Sequence, residues 1–225
     1  RPTDDSDPFQ TDIVILSGKQ DRFMPKFNYK GFQFVEVSSS APIQLSDENL
    51  IAVEMHSDVP AIGYLASSSD LLNKIWKATN SSYLANLFGY PTDCPQREKN
   101  GWTGDAHIAI ETGLYNFDGI SIYEKWMNDF CDEQKDNGIL PCIIPTSVWG
   151  YDWANGVDWT SAVAIIPWEI YRFYGDTTLL RRMYGPIKKY VSYIESISTN
   201  HLTDWGLGDW VPVRSKSNIT LTSSI

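Results

Sequence analysis

The sequence predicts a mainly α-helical fold, a partial ring of paired helices preceded by a small antiparallel β segment. Apolar residues alternate in the first part of the chain and recur at helical spacing in the rest. The helical segments also alternate between apolar and amphipathic ones, which favours concentric inner and outer helices over a four-helix bundle. We therefore expect the C-terminal part of a β-sandwich-like domain over residues 1–66 and a truncated helical barrel over residues 67–225.

The segment 1–66 has the pattern of half-buried strands. A short apolar run covers Ile13–Leu16, and Ile51 and Val53 alternate with Ala52 and Glu54 along one strand. Gly31 lies between two aromatic stretches, which indicates a bulge or a close backbone approach. Because so few strands cannot close a sandwich alone, we expect part of a larger sheet.

Three helices are predicted next along the chain. The first is expected to be capped by Ser68 or Ser69 and to end near Gly89, and the second to have Thr103 as its N-cap. The second is apolar nearly all round over 106–115, as an inner helix is. The third has one apolar stripe, as an outer helix does: Tyr123, Trp126, Met127 and Phe130.

A long aromatic loop, residues 137–160, separates these helices from the last ones. Loops of this length are usually functional or disordered, and the large aromatic residues argue against disorder. Helix is expected again over 162–174 despite Pro167, and then in a segment broken at Gly185 and Pro186. These helices make about half of a closed double ring, so we expect a piece of a longer protein that self-associates through its uncovered apolar flank.

Composition narrows the classes of partner. The net charge of −10 argues against nucleic acid and anionic membranes, since binding phosphates requires a basic surface. No apolar run is long enough to span a membrane. The aromatic share of 13% is high, which fits a bulky core, a groove for neutral sugars, or both.

The cysteines and histidines predict neither a metal nor a cofactor. The three histidines are scattered along the chain. The three cysteines have no Cys-x-x-Cys spacing, so we expect no zinc site and no disulfide framework. Each is expected to be a small buried residue: Cys94, Cys131 and Cys142.

The most informative stretch is Asp93–Asp105, which reads DCPQREKNGWTGD. It places three carboxylates, an arginine and a tryptophan in one loop that leads into a helix. Such carboxylates repel one another unless a ligand, a cation or chemistry uses them. Two carboxylates that flank a sugar bond are the means by which most glycosidases cleave it. The alternative is a helix-capping loop with an internal Arg–Asp pair.

This run resembles the Asp-Cys-Pro-Gln-Arg…Gly-Trp-Thr-Gly-Asp signature of bacterial α-L-rhamnosidases, the inverting enzymes of glycoside hydrolase family 78. Further stretches are similar to that family in order and distance: Phe27–Val37, Trp159–Trp168, Tyr171, Tyr174–Asp176 and Gly206–Trp210. The resemblance covers about Phe23–Trp210. It implies an (α/α)6 toroid that releases terminal α-L-rhamnose from glycans or glycosides.

The resemblance also implies roles for single residues. Glu98, the only carboxylate between Asp93 and Asp105, matches the general acid of the family. Asp93 and Asp105 match ligands of the sugar hydroxyls, with Arg97 beside them. Trp102 would form an apolar wall for the methyl-bearing face of the sugar. A helix N-terminal charge for Asp105 and core packing for Trp102 are the alternatives.

Trp159 and Trp210 match further sugar-binding tryptophans of the family. After Trp159 the family often has a small residue and then Asp, whereas Thr160 and Ser161 follow here. For Trp210, next to Asp209, a capped turn is the alternative. Two aromatic residues of the long loop are candidates for an outer subsite or for core packing: Tyr151 and Trp153.

The family's catalytic base is a glutamate far downstream of the acid, past the end of this chain. The chain alone is therefore expected to be inactive, because inversion needs both carboxylates. Two other functions stay open: an inverting glycosidase of the same toroid with another sugar, and a glycan-binding paralogue without chemistry. The sequence does not fix the location, and a periplasmic or extracellular one is favoured over the cytoplasm.

Overall fold

The computed structural model describes residues 10–208, 210, 211, 213 and 221–222 of the 225-residue chain. Within these residues the helices and strands are α1 (Asp70–Ala85), α2 (Thr103–Asn116), α3 (Ile120–Glu133), α4 (Val157–Thr160), α5 (Ala162–Tyr174), α6 (Thr178–Ser196), β1 (Leu202–Thr203) and β2 (Leu221–Thr222). The two strands pair antiparallel. The mainly helical fold predicted from the sequence is confirmed.

Residues 10–66 differ from the paired strands expected there. The described chain from residue 10 to residue 60 contains bends and turns but no paired strand, and a single bridge joins Ala61 to Phe117. Its apolar side chains are mostly exposed, Ile13 and Ile51 among them. A strand is stable only when neighbours pair its backbone and cover one face. Gly31 does make a close approach, since a Cβ there would lie 2.7 Å from that of Gln96.

The hydrophobic core is built around α3, as its apolar stripe predicts. Tyr123, Trp126, Met127 and Phe130 are fully buried against the apolar faces of α2, α5 and α6. Burying each large apolar side chain stabilises the fold by about 1.5–3 kcal/mol. The Trp126 indole N–H donates to the carbonyl of Ile144 at 2.9 Å, which ties the loop after α3 to this core.

The break expected in the last long helix does not occur. α6 runs without interruption through Pro186, although a proline in a helix interior costs about 3 kcal/mol. The buried face of α6 lies on both sides of the proline, with Met183 before it and Tyr190 and Ile194 after it. We infer that burial of this face outweighs the local cost of the proline.

The start of α2 also differs from the prediction. Trp102 takes the N-cap position, and Thr103 is the first helical residue. The Thr103 hydroxyl donates instead to the carbonyl of Cys142 at 3.0 Å. This bond ties the first turn of α2 to the loop after α3, so the threonine anchors the helix start by a long-range contact.

Apolar side chains remain exposed on α1 and α2. They include Leu72 and Ile75 on α1 and Ile108 and Tyr115 on α2. α2, expected to be apolar and covered all round, is thus covered on one face only within the described residues. Exposed apolar faces of this kind favour association with further protein, and self-association stays a prediction.

The three cysteines differ in burial. Cys142 is buried as expected, whereas Cys94 and Cys131 are half-buried, and all three are free thiols. Among the described residues, every helix is too short or too polar to cross a membrane.

Candidate active site

A groove of about 1580 Å³ opens where α1, the start of α2 and the aromatic loop after α3 meet. The residues named from the sequence line this groove together: Asp93, Arg97, Glu98, Trp102, Asp105, Trp159 and Trp210. Asp209 lies outside the described residues. The chain therefore brings residues that are more than 100 positions apart into one concave surface.

Hydrogen bonds within the loop shape the run from Asp93 to Asn100. The Asp93 carboxylate accepts the Asn100 N–H at 3.0 Å, and the Asp93 N–H donates to the Asn100 carbonyl at 3.1 Å. The Cys94 thiol donates to Asp93 Oδ2 at 3.0 Å and accepts the Glu98 N–H at 3.1 Å. These bonds hold the backbone of Asp93 and that of Glu98 in a fixed relation.

Two further contacts anchor the loop to its surroundings. The Lys99 ammonium donates to the carbonyl of Tyr29 at 2.6 Å and lies 4.6 Å from the centre of that ring. The Ile144 N–H donates to the Gly101 carbonyl at 2.9 Å. A Cβ at Gly101 would lie 2.0 Å from the Ile144 carbonyl oxygen, so only glycine fits this position.

The carboxylate of Glu98 is held by two donors. Oε1 accepts a bond from the Arg97 guanidinium at 2.9 Å, and Oε2 accepts the Trp102 indole N–H at 3.0 Å. The alternative function of this run, a helix-capping loop, was expected to contain an Arg–Asp pair. Arg97 pairs with Glu98 instead. Because 31% of the Glu98 side chain is exposed, its oriented carboxylate is open to a ligand in the groove.

Burial raises the pKa of two carboxylates that line the groove, Asp93 and Asp105, above the ordinary value. For Asp93, the hydrogen bonds from Cys94 and Asn100 lower the pKa but do not cancel this effect. For Asp105, burial is again the largest cause, and the charges of Asp93 and Glu98 add to it. Asp105 is nevertheless an exposed residue of the groove lining. Carboxylates whose pKa is raised by burial have lost contact with water, and the hydroxyl groups of a ligand can supply hydrogen bonds in its place.

Tryptophan rings form an apolar wall beside these carboxylates. The centre of the Trp102 ring lies 5.6 Å from the centre of the Trp153 ring and 6.4 Å from that of the Trp159 ring. Both contacts are edge to face. The Trp159 ring packs on Gly104 in the first turn of α2, where a Cβ would lie 2.6 Å from the ring. The glycine therefore sets how closely this wall approaches the helix that carries Asp105.

Asp158 lines the groove and was missed by sequence reasoning. Its Oδ2 accepts the Gly208 N–H at 2.6 Å, and its Oδ1 accepts the Trp159 N–H at 3.1 Å. Burial raises its pKa above the ordinary value. Gly206 (φ +145°) passes so close that a Cβ there would lie 2.4 Å from Asp158 Oδ1. The available signal was a carboxylate directly before Trp159 at a helix start.

Tyr151 and Trp153, the two candidates for an outer subsite, have different positions in the structure. Trp153 lines the groove, whereas Tyr151 is not among its described lining residues. The Tyr151 hydroxyl donates to the Glu133 carboxylate at 2.6 Å, and the Lys135 ammonium lies 3.8 Å from its ring centre. Tyr151 therefore anchors the aromatic loop to the end of α3.

Paired helices around a groove lined by carboxylates and tryptophans define a helical-hairpin glycosidase domain. Residues 60–225 match the bacterial alpha-L-rhamnosidase 6 hairpin glycosidase domain, and residues 4–56 match the bacterial alpha-L-rhamnosidase concanavalin-like domain. The chain belongs to the bacterial alpha-L-rhamnosidase family.

Curated relatives carry the same family name. An alpha-L-rhamnosidase of Alteromonas sp. (strain LOR) is 32% identical over 192 residues, which cover 84% of this chain and 21% of the relative. One from Formosa agariphila is 32% identical over 207 residues, which cover 87% of this chain and 21% of the relative. The chain thus spans about a fifth of the length of the curated relatives it matches.

Solved structures of this family share the fold. The alpha-L-rhamnosidase from Dictyoglumus thermophilum matches with a TM-score of 0.66 and 37% identity, over 69% of this chain and 18% of that one. The Streptomyces avermitilis alpha-L-rhamnosidase, solved in complex with L-rhamnose, matches with a TM-score of 0.67 and 28% identity, over 72% of this chain and 16% of that one.

Proposed function

We propose that this chain supplies the acid-bearing half of the active site of an inverting α-L-rhamnosidase. The observation that carries the proposal is the carboxylate of Glu98, fixed by Arg97 and Trp102 in the same groove as Asp93 and Asp105. The family membership supports the reaction class, and the relative solved with L-rhamnose supports the choice of sugar. The substrate is a rhamnose-containing oligosaccharide or glycoside, and the reaction needs no cofactor.

We propose that the chain covers parts of two domains of a longer parent protein. Residues 1–66 form the end of a β-sandwich-like domain, and residues 67–225 form the N-terminal half of an (α/α)6 barrel. The two family matches, which leave only residues 57–59 between them, support this division. The exposed apolar faces of α1 and α2 support it too, because further helices of a barrel would cover them.

In the proposed reaction Glu98 donates its proton to the glycosidic oxygen as the bond from that oxygen to the anomeric carbon breaks. A water molecule forms the new bond to the anomeric carbon from the opposite face and gives its proton to the base. The protonated Glu98 keeps one acceptor oxygen for the Trp102 N–H, so its hydroxyl can turn toward the leaving group.

Asp93 and Asp105 bind the sugar in this proposal. Each carboxylate accepts hydrogen bonds from sugar hydroxyls and stabilises the positive charge that develops on the sugar ring. The position of both carboxylates in the groove beside Glu98 supports this role. Trp102 covers the apolar face of the sugar, with Trp159 packed behind it.

The base is proposed to be a glutamate outside this chain. A general acid without its base does not activate the water that inversion requires. The 225-residue chain alone is therefore expected not to turn over rhamnosides.

The test uses the full-length parent with Glu98→Gln and, as control, Glu195→Gln, which changes an exposed residue of α6. With 4-nitrophenyl α-L-rhamnoside we expect Glu98→Gln to lower kcat by about 10²–10⁴-fold, the usual contribution of a general acid. The control variant should keep the wild-type rate, and NMR should show β-L-rhamnose as the first product.

Other outcomes would overturn the assignment. A wild-type rate for Glu98→Gln would remove Glu98 from the chemistry. Faster hydrolysis of an aryl glucoside than of the rhamnoside would favour another sugar on the same toroid. Sugar binding without any hydrolysis by the wild type would favour a non-catalytic glycan-binding protein.

A further inference from the structure

Trp149 is a large apolar side chain left open at the rim of the groove. It is 42% exposed, and it lines the groove together with Trp153. A tryptophan that stays in contact with water forgoes the free energy that burial would give. Isolated exposed apolar residues are common, so the surroundings of Trp149 decide whether this one has a function.

The backbone before and after Trp149 is fixed by hydrogen bonds. The Trp149 N–H donates to the Thr146 carbonyl at 2.9 Å, and the Thr146 hydroxyl donates to the Gly150 carbonyl at 3.0 Å. Thr146 is itself buried, and its N–H donates to the Glu133 carboxylate at 3.0 Å. One side of the loop is therefore tied to the end of α3.

The other side of the loop is fixed through Asn155. This buried side chain donates to the carbonyls of Leu140 and Tyr151 at 2.9 and 2.8 Å. Between the two anchors, the Trp153 indole N–H donates to the Trp149 carbonyl at 2.8 Å. The exposed ring is thus presented on a backbone that is ordered before any ligand binds, which lowers the entropic cost of binding.

The position of Trp149 and Trp153 relative to Glu98 indicates what these two residues bind. Glu98 accepts the Trp102 indole N–H at 3.0 Å. The ring centres of Trp102 and Trp153 are 5.6 Å apart. Those of Trp153 and Trp149 are 5.9 Å apart. A series of rings thus leads from the acid to the rim. A general acid protonates the leaving oxygen, so the leaving group lies on the side of the acid.

We propose that Trp149 and Trp153 form a platform for the first ring of the leaving group, the ring joined to rhamnose through the cleaved bond. The proposal rests on the proposed function, because it takes Glu98 as the acid. The ligand has a flat apolar face that stacks on indole, as a pyranose or an aryl ring does. It is not anionic, because carboxylates line the same groove and repel an anionic leaving group.

The test compares substrates that share rhamnose and differ in the leaving group. Methyl α-L-rhamnoside has no second ring, 4-nitrophenyl α-L-rhamnoside has an aryl ring, and an α-L-rhamnosyl-glucose disaccharide has a pyranose. In the full-length parent we expect Trp149→Ala to raise KM about 10-fold for the substrate whose second ring stacks on the platform, either the aryl rhamnoside or the disaccharide. We expect kcat to change little. KM for the methyl rhamnoside should stay within about 2-fold of wild type.

Two further variants separate stacking from a structural role. Trp149→Phe keeps an aromatic face and should restore most of the affinity. Val148→Ala is the matched control, because Val148 is the neighbouring residue, 92% exposed and absent from the described groove lining. It should behave as the wild type with all three substrates.

The outcomes separate the platform from the proposed reaction. If Trp149→Ala matches Val148→Ala, or weakens all three substrates equally, the platform is wrong. If the wild type hydrolyses no rhamnoside but the disaccharide quenches its tryptophan fluorescence, and Trp149→Ala abolishes this quenching, the reaction and the leaving-group assignment are refuted, and Trp149 is left as a contact for a sugar ring. If the wild type shows neither hydrolysis nor quenching, both are refuted.

Discussion

The carboxylate of Asp158 accepts the backbone N–H of Gly208 at 2.6 Å, a bond between residues that are 50 positions apart. The N–H of Leu207 points to the same carboxylate. The Trp205 indole N–H donates to Asn155 Oδ1 at 2.8 Å. Residues 204–208 have no helix or strand of their own, so these bonds hold the segment that leads to Trp210 against the groove.

Replacing Asp158 with Ala is expected to release this segment. A hydrogen bond to a charged group contributes about 1.5–3 kcal/mol, so the amide protons of Leu207 and Gly208 should exchange faster and the affinity for rhamnose should fall. Asp158→Asn, which keeps one acceptor oxygen, should lie between Ala and wild type. The exposed Asp152→Asn is the control. Unchanged exchange in Asp158→Ala would show that the carboxylate does not order the segment.

Replacing Trp102 with Phe tests how Glu98 is oriented. The change keeps an aromatic wall but removes the indole N–H that lies 3.0 Å from Glu98 Oε2. In the full-length parent kcat should fall about 10-fold or more, since a bond to a charged group is lost, while KM changes little. Trp168→Phe on the exposed face of α5 should leave both constants unchanged. A rise in KM at constant kcat would make Trp102 a binding wall only.

Gly104→Ala is expected to push the tryptophan wall away from α2. The new Cβ would lie 2.6 Å from the Trp159 ring, and overpacking of this kind costs about 1–3 kcal/mol. Gly185→Ala in α6 is the matched control, because a Cβ there meets nothing within 4 Å. That change should stabilise the chain by about 0.5–1 kcal/mol in urea denaturation. Equal stabilities for the two variants would contradict the close packing at Gly104.

Asp105→Asn is expected to raise stability at neutral pH while it weakens sugar binding. The folded chain raises the pKa of Asp105 above its ordinary value of 3.8, so the unfolded chain ionises first. The free energy of unfolding of the wild type therefore falls as the pH rises from 3.8 through the raised pKa. Asp105→Asn does not ionise at this position, so its free energy of unfolding does not fall over this pH range. It should be more stable than the wild type at pH 7 and should lose this difference at pH values well below the ordinary pKa.

Thermal denaturation of the two proteins over that pH range measures this effect. The exposed Asp47→Asn is the control and should follow the wild type at every pH. A loss of stability at pH 7 in Asp105→Asn would mean that the favourable position of a carboxylate in the first turn of α2 outweighs its burial.

The sequence by itself determined the helices and the central part of the site. Helical periodicity is a local property, so the buried stripe of α3 could be identified before any partner helix was known. The run Asp93–Asp105 is contiguous, so its carboxylates, arginine and tryptophan had to lie close together. The structure places them in one groove, and their catalytic roles remain predictions.

The tertiary structure alone decided the features that depend on distant partners. Asp158 joined the site through Gly208, and Thr103 became an anchor through Cys142, 39 residues away. Alternating residues in 10–66 could specify two faces but could not supply the strands that would pair with them. α6 passes through Pro186 because its buried face, set by other helices, outweighs a local cost of about 3 kcal/mol. Local patterns fix what a segment can form, and long-range burial and hydrogen bonding select which of these forms occurs.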